Sequence, residues 1–180
     1  TEEDYQQLAT TIPTIEKAIP IREKRSKFRF RDRDMEGRLV GCTGDYREIN
    51  RLDMAQGRFL QPTDENDNVC VIAHEIANEL FRVENPVGRA IVINDKEAFK
   101  IVGVTSHRTA SAAIGGSLSG QDFNKDVYIP LSAMRRRIDL NNLTFERTQG
   151  GFSFKQYDLT QITLQIEDSN DVEKTADVVR

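Results

Sequence analysis

The chain has 180 residues, 38% of them hydrophobic and 30% charged, with a formal net charge of −4 at neutral pH. The hydrophobic share suffices for a packed core and excludes a disordered chain, and the acidic balance argues against nucleic acid as the main partner. No apolar run approaches the roughly 18 residues of a membrane span and no signal peptide opens the sequence; both ends fall in helix signals, so the expectation is a piece cut from a longer protein.

In chain order, Thr1 is an N-cap candidate followed by the acids Glu2, Glu3 and Asp4, which suit the positive end of a helix dipole. Tyr5, Leu8 and Ile12 share one helical face, and Pro13 stops the helix. Strands are expected at Ala18–Arg22, Ser26–Arg31 and Glu36–Thr43, the last two forming a hairpin around "DRD". The basic run "REKRSKFRFRDR" alternates Phe28 and Phe30 with Lys27, Arg29 and Arg31. It reads as a half-buried strand with Phe inward and cations outward; a stripe for nucleic acid or anionic lipid is the alternative.

Gly44–Leu60 reads as a helical turn and then an extended piece after Gly57, and "QPTDENDN" as a polar loop. Val69–Ala73 is a strand, followed by a helix from about His74 to Phe81 with Ile76, Ala77 and Leu80 on one face. Asn85-Pro86-Val87-Gly88 breaks that helix and turns the chain into strands Ala90–Ile93 and Phe99–Val104, joined by a turn over 94–97. From His107 to Lys125 the sequence is small, polar and glycine-rich, a long mobile loop. "DVYIPL" is a strand, "SAMRRRI" a short helix capped by Ser132, and Asn141 to Asp158 an irregular segment. In Thr160–Glu167, Ile162, Leu164 and Ile166 alternate with Thr163 and Gln165, a strand signature, and Asn170 caps a final helix. Mixed elements without regular βαβ alternation give the α+β class.

Residues able to do chemistry are sparse. Cys42 and Cys70 lie in apolar strand contexts and read as buried core residues; a disulfide is the alternative, and zinc spacing is absent. His74 stands beside Glu75, but position 78, where a metalloprotease helix needs its second His, is Asn. His74 and His107 are therefore read as surface or capping residues. Ser111, Ser117 and Ser119 occupy no G-x-S-x-G elbow. "IGGSLSG" lacks the ending of a phosphate loop and reads as flexible linker. Arg135–Arg137 reads as a solvated helix face, with a phosphate or acidic partner second. Asp64, Glu65 and Asp67 lack calcium-loop spacing. No catalytic residue, metal or cofactor is expected.

Four stretches follow one another in a set order: "GRFLQPTDENDNVCVIAHEIANELF", "NPVGRAIVINDKEAFKIVGV", "DVYIPLSAMRR" and "ITLQIEDSNDVEKTADVVR". Together they resemble the extracytoplasmic core domain of MacB/FtsX-type ABC transporter permeases, from about Leu39 onward and more loosely from Thr1. The resemblance implies a non-catalytic domain on the periplasmic side of the inner membrane, inserted between two membrane helices of a permease. It implies two lobes: a porter-like α/β lobe from residues 1–51 and 125–180, and a smaller β-rich lobe with one helix from 52–107, with 108–124 as a Gly/Ser-rich loop. ATP would be hydrolysed in a separate nucleotide-binding domain. Implied partners are that ATPase, a second permease and a periplasmic adaptor protein; lipoprotein release or control of cell-wall hydrolases is the family alternative. A free-standing ligand binder or enzyme using His107 and the serine-rich loop is the alternative outside the family. On this reading Asn85, Pro86 and Gly88 form a structural turn, and Ile114, Gly115, Gly116, Ser117 and Leu118 are the candidate partner-contact loop.

Overall fold

The computed structural model describes residues 15–108, 122–138, 144–148, 151–155 and 161–166. The helices expected after Thr1 and Asn170 lie outside these residues, as do the loop residues Ile114–Leu118.

The first described element is β1 (Ile15–Phe30), one strand of 16 residues. Sequence reading splits it in two at the charged "REKR", but charge alone does not break a strand. Nothing from Ile21 to Phe30 is Gly or Pro, and the polar side chains find partners across the sheet. A turn at Arg31 and Asp32 leads into β2 (Arg33–Cys42), and the two form the expected antiparallel hairpin. Phe28 is fully buried and Phe30 packs on Phe81 at 4.2 Å, while Lys27, Arg29 and Arg31 meet Asp34, Asp95 and Glu84. The basic run is thus an inward-Phe, outward-cation strand.

After β2 come a short helix α1 (Tyr46–Ile49) and β3 (Met54–Gly57). The extended piece ends at Gly57 instead of beginning there, because Gly57 takes a positive φ of 67°. The polar loop carries a 3₁₀ turn, Pro62–Asn66, in which Gln61 N–H donates to Asp64 Oδ2 and Asp64 N–H to Gln61 O. β4 (Val69–Ile72) runs into α2 (His74–Phe81), whose Ile76, Leu80 and Phe81 are buried with Ala77 against the same cluster. β5 (Ala90–Ile93) and β6 (Glu97–Thr105) form a hairpin.

β7 (Asp126–Pro130) is buried at every position and continues into α3 (Leu131–Ala133) and a π turn, Met134–Ile138. Ser132 does not cap this helix: it lies inside the first turn, where its hydroxyl donates to the Glu65 carbonyl, and Pro130 stands at the cap. The segment read as irregular contains a hairpin, β8 (Thr144–Thr148) with β9 (Gly151–Lys155). β10 (Gln161–Ile166) pairs antiparallel with β1.

The main sheet runs β10-β1-β2-β7-β4-β6-β3, and β5 pairs with both β1 and β6. The ladders therefore close: β1-β2-β7-β4-β6-β5 and back to β1. Closing the ring leaves these six strands fewer open edges. One face of each ring strand supplies the inner cluster: Phe28, Leu39, Val127, Ile129, Cys70, Ile72, Phe99, Ile101, Ile91 and Ile93. α2 and the turn after α3 pack against it with Leu80 and Met134. The opposite face of β1, β2, β7 and β4 carries Ile19, Ile21, Val40, Tyr128 and Val71 under Tyr46, Leu52, Phe59 and Leu60. Strands assigned from sequence to different lobes, β2 and β7 on one side and β4 and β6 on the other, are consecutive in this sheet. The class is α+β, with parallel β2–β7 and β4–β6 pairs inside a largely antiparallel sheet.

Candidate functional site

Side-chain direction alternates along a strand, so Ile19, Ile21 and Glu23 share one face of β1. In the register of β1 on β2, Glu23 opposes Val40 and lies diagonal to Arg38. In the register of β2 on β7, Arg38 is directly opposite Asp126. Three separate segments thus place two carboxylates around one guanidinium.

Arg38 forks onto Asp126, Nε to Oδ1 at 2.9 Å and Nη2 to Oδ2 at 2.5 Å, and its Nη1 donates to Glu23 Oε1 at 3.0 Å. Asp126 is fully buried, whereas the Arg38 and Glu23 side chains are 20% and 21% exposed. The Tyr128 hydroxyl donates to Asp126 Oδ2 at 3.0 Å, and Tyr128 packs between the rings of Tyr46 and Phe59. Phe123 lies under the guanidinium groups of Arg38 and Arg108, at 5.5 and 4.7 Å.

Burial works against the Arg38 charge, but the hydrogen bonds and field of Asp126 outweigh it and raise the guanidinium above its ordinary value. Burial pushes the Asp126 carboxyl up, and Arg38 and Tyr128 pull it back only in part. The two directions pull against each other. Geometry decides: a carboxylate with both oxygens on a guanidinium is ionised at neutral pH. Burial, with the Asp126 charge second, holds the Cys42 thiol well above its usual value, and burial alone raises Cys70. Both are free, buried and protonated, so neither is a nucleophile. The arrangement is a cross-strand tie, with no nucleophile–base pair in it.

A second pair ties the residue after β3 to the 3₁₀ turn. Arg58 Nη1 and Nη2 donate to Asp64 Oδ2 and Oδ1 at 2.6 and 2.8 Å, and Gln61 N–H adds a third bond at 2.8 Å. Asp64, one of the acids that lack calcium-loop spacing, is held by a guanidinium. The Arg58 hydrogen bond, against opposing burial, draws its pKa below the ordinary 3.8. A depressed carboxylate contributes stability above its unfolded pKa that is lost as pH falls through the folded one. Asp64→Asn is therefore expected to lower the urea midpoint at pH 6 and to lose that deficit below the folded pKa; an equal deficit at both ends contradicts the pairing.

The turn residues sit between α2 and β5. Val87 N–H donates to Asn85 Oδ1 at 3.0 Å, Arg89 N–H to Pro86 O at 3.0 Å, and Gly88 N–H to Ile101 O at 2.8 Å. Pro86 is buried and Gly88 has φ 87°. His74 and His107, distant in sequence, meet edge to face with ring centroids 5.5 Å apart, and His74 Nε2 is 2.9 Å from Asn78 Nδ2. Nothing in their local sequence signals this contact. Among the described residues no group of three His, Cys, Asp or Glu side chains is placed to hold a metal. Arg136 and Arg137 are exposed; Arg136 donates to Asn66 and Glu65 O, and Arg137 lies 4.0 Å from Glu97. A cavity of about 1020 Å³ is lined by Pro20, Phe59 and Pro130 and by both signs of charge, Arg47 and Arg51 with Glu48 and Asp53. Such mixed charge selects no particular ligand. Among the described residues no helix is long and apolar enough to cross a membrane.

Comparison with known proteins gives a consistent picture. The family described as "MacB-like periplasmic core domain" matches residues 1–180. The chain is 28% identical over 130 residues to the pyoverdine export ATP-binding/permease protein PvdT of Pseudomonas aeruginosa, covering 71% of this chain and 19% of that protein. It is 27% identical over 146 residues to the macrolide export ATP-binding/permease protein MacB of Syntrophobacter fumaroxidans, covering 79% of this chain and 19% of that protein. The chain thus spans about a fifth of the length of these curated relatives. Its fold matches the periplasmic region of MacB from Actinobacillus actinomycetemcomitans with a TM-score of 0.71 and 19% identity, over 99% of this chain and 70% of that one.

Proposed function

The chain belongs to the MacB-like periplasmic core domain family, and from that premise we propose that it carries ATP-driven motion of an export permease into the periplasm and contacts an adaptor protein there. It is a non-catalytic periplasmic domain of MacB/FtsX-type ABC permeases, part of their transport machinery. The observation that carries the export reading is the match of more than two thirds of the chain to the permeases named for pyoverdine and macrolide export. ATP would be hydrolysed in a separate nucleotide-binding domain, and the working unit would be a permease dimer. The pairing of β2, β7 and β4 in one sheet supports setting the seam between two lobes within β1, at Ile21–Arg22, instead of near Leu52. Asn85, Pro86 and Gly88 serve as scaffold, and Ile114–Leu118 is the proposed partner-contact loop.

The test is the full-length permease with its ATPase in lipid vesicles, with the periplasmic adaptor added. A severalfold rise in ATP hydrolysis on adding adaptor is expected, lost when residues 114–118 are replaced by Gly-Ser repeats while basal hydrolysis persists. Retained stimulation in that variant overturns the contact loop. Release of lipoprotein from the vesicles, with no adaptor response, overturns export in favour of the family alternative.

A further inference from the structure

β1 changes partner along its length. Residues 15–21 pair with β10, and residues 22–30 pair with β2. Among the described residues, β10 joins the sheet through β1 alone. At the changeover, between Ile21 and Arg22, the strand passes from the β10 ladder to the β2 ladder, and β5 joins it only further on, at Phe28 and Arg29. Pro20, which has no N–H to give, stands two residues before Arg22. A strand passing from one partner to the next in this way is a place where two parts of a fold can turn against each other.

The charged tie sits at this point. Glu23 is the second residue past the changeover and continues the face of Ile19 and Ile21, which are buried in the outer cluster. Arg38 joins it to β2, and the buried fork joins β2 to Asp126 on β7. The two halves of the tie differ. The Arg38–Asp126 half is buried on the Asp126 side and opens only at the expense of an isolated interior charge. The Glu23–Arg38 half reaches solvent on both sides, so water can replace it.

We propose that Glu23, Arg38 and Asp126 form an ionic lock at the changeover of β1, with Arg38–Asp126 as the fixed anchor and Glu23 as the releasable arm. Closed, it holds the β10-bearing end of β1 at one angle to the ring of strands; open, it lets that end turn. The use of such a lock rests on the motion-transmitting role proposed above, but the lock is a property of this chain and is testable without a transporter.

Hydrogen–deuterium exchange on the 180-residue chain tests it, comparing the native sequence with Glu23→Gln and Glu23→Ala, each of which leaves the Arg38–Asp126 fork in place. Loss of one charge-assisted bond at the changeover is expected to speed exchange of peptides covering residues 18–24 about tenfold. Rates in β4 and β6 should stay native, and Arg29→Gln, which removes a charge further along the same face that pairs with Asp95 and not with Arg38, should change neither. Unchanged exchange at 18–24 in both Glu23 variants overturns the lock. So does acceleration spread equally over β4 and β6, which marks a general loss of stability. Failure of the export reading would appear in the vesicle assay and leave the exchange result standing.

Discussion

Arg38→Met is expected to lower the free energy of unfolding by about 3–5 kcal/mol, the usual loss when one partner of a buried ion pair is removed. The cause is what remains. Asp126 is fully buried, and without the fork its one other side-chain hydrogen bond among the described residues comes from Tyr128. The carboxylate cannot reach water through a sheet bonded on both edges, with β2 on one side and β4 on the other. It relieves the strain by taking up a proton. Its folded pKa, already raised by burial, then rises further above the unfolded value. A carboxyl raised on folding binds more protons in the folded state, so the variant gains stability as pH falls from neutral toward the unfolded pKa. Urea unfolding should therefore show the deficit at pH 7.5 and a smaller one at pH 5. Adding Asp126→Leu to Arg38→Met removes the orphaned charge and should recover most of the loss. A double variant no better than the single one would assign the damage to lost packing on Phe123 and not to charge.

Glu23 bears on the same bond set with a smaller effect. Its removal leaves the fork intact, so global stability changes by about 1 kcal/mol or less, while exchange at the strand changeover responds. The separation of these two readouts is what distinguishes a releasable arm from an ordinary surface ion pair.

What could be read from sequence was local. α2 was legible because Ile76, Ala77 and Leu80 sit at helical spacing and the turn residues after Phe81 stop the helix. The β1–β2 hairpin was legible from the alternation of Phe28 and Phe30 and the charged turn "DRD", and β10 from the alternation of Ile162, Leu164 and Ile166. The stretch holding β8 and β9 reads as irregular from sequence, because only Phe152 and Phe154 alternate within it and one such pair is too short a signal. The continuity of β1 is not legible in sequence because a charge run resembles a break until its partners are known. Those partners lie far away: Arg38 is 15 residues from Glu23 and 88 from Asp126. No single window holds the tie, and only the register of three strands assembles it. Ring closure was illegible for the same reason, since β5 reaches β1 through two backbone pairings, Phe28 with Ile93 and Arg29 with Val92. The family resemblance supplied the domain type.

Gly57→Ala should cost about 3 kcal/mol, and Gly88→Ala about 1–2 kcal/mol, although Gly88 lies in the turn that the sequence marks more strongly. Both glycines have positive φ, 67° and 87°, so both substitutions carry the left-handed penalty of about 1–2 kcal/mol. They differ in what surrounds them. A Cβ on Gly88 meets nothing within 4 Å. A Cβ on Gly57 overlaps the Val102 carbonyl oxygen and comes within 2.9 Å of Gly103 Cα, and backbone must move to admit it. Gly57 pairs with Gly103 across the β3–β6 ladder, and a Cβ on Gly103 would strike the Arg58 carbonyl in turn. Two facing glycines let β3 close on β6 so that Arg58 N–H reaches Val102 O at 3.1 Å. That approach aims the Arg58 side chain at Asp64. Gly57→Ala should therefore also erase the acid-dependent contribution of Asp64, a change Gly88→Ala leaves untouched. Thermal unfolding of both variants at pH 6 and pH 3 reads the two effects together. Equal costs, or an Asp64 contribution that survives in Gly57→Ala, would show that the sheet edge relaxes around the added methyl and that the close approach is not what positions Arg58.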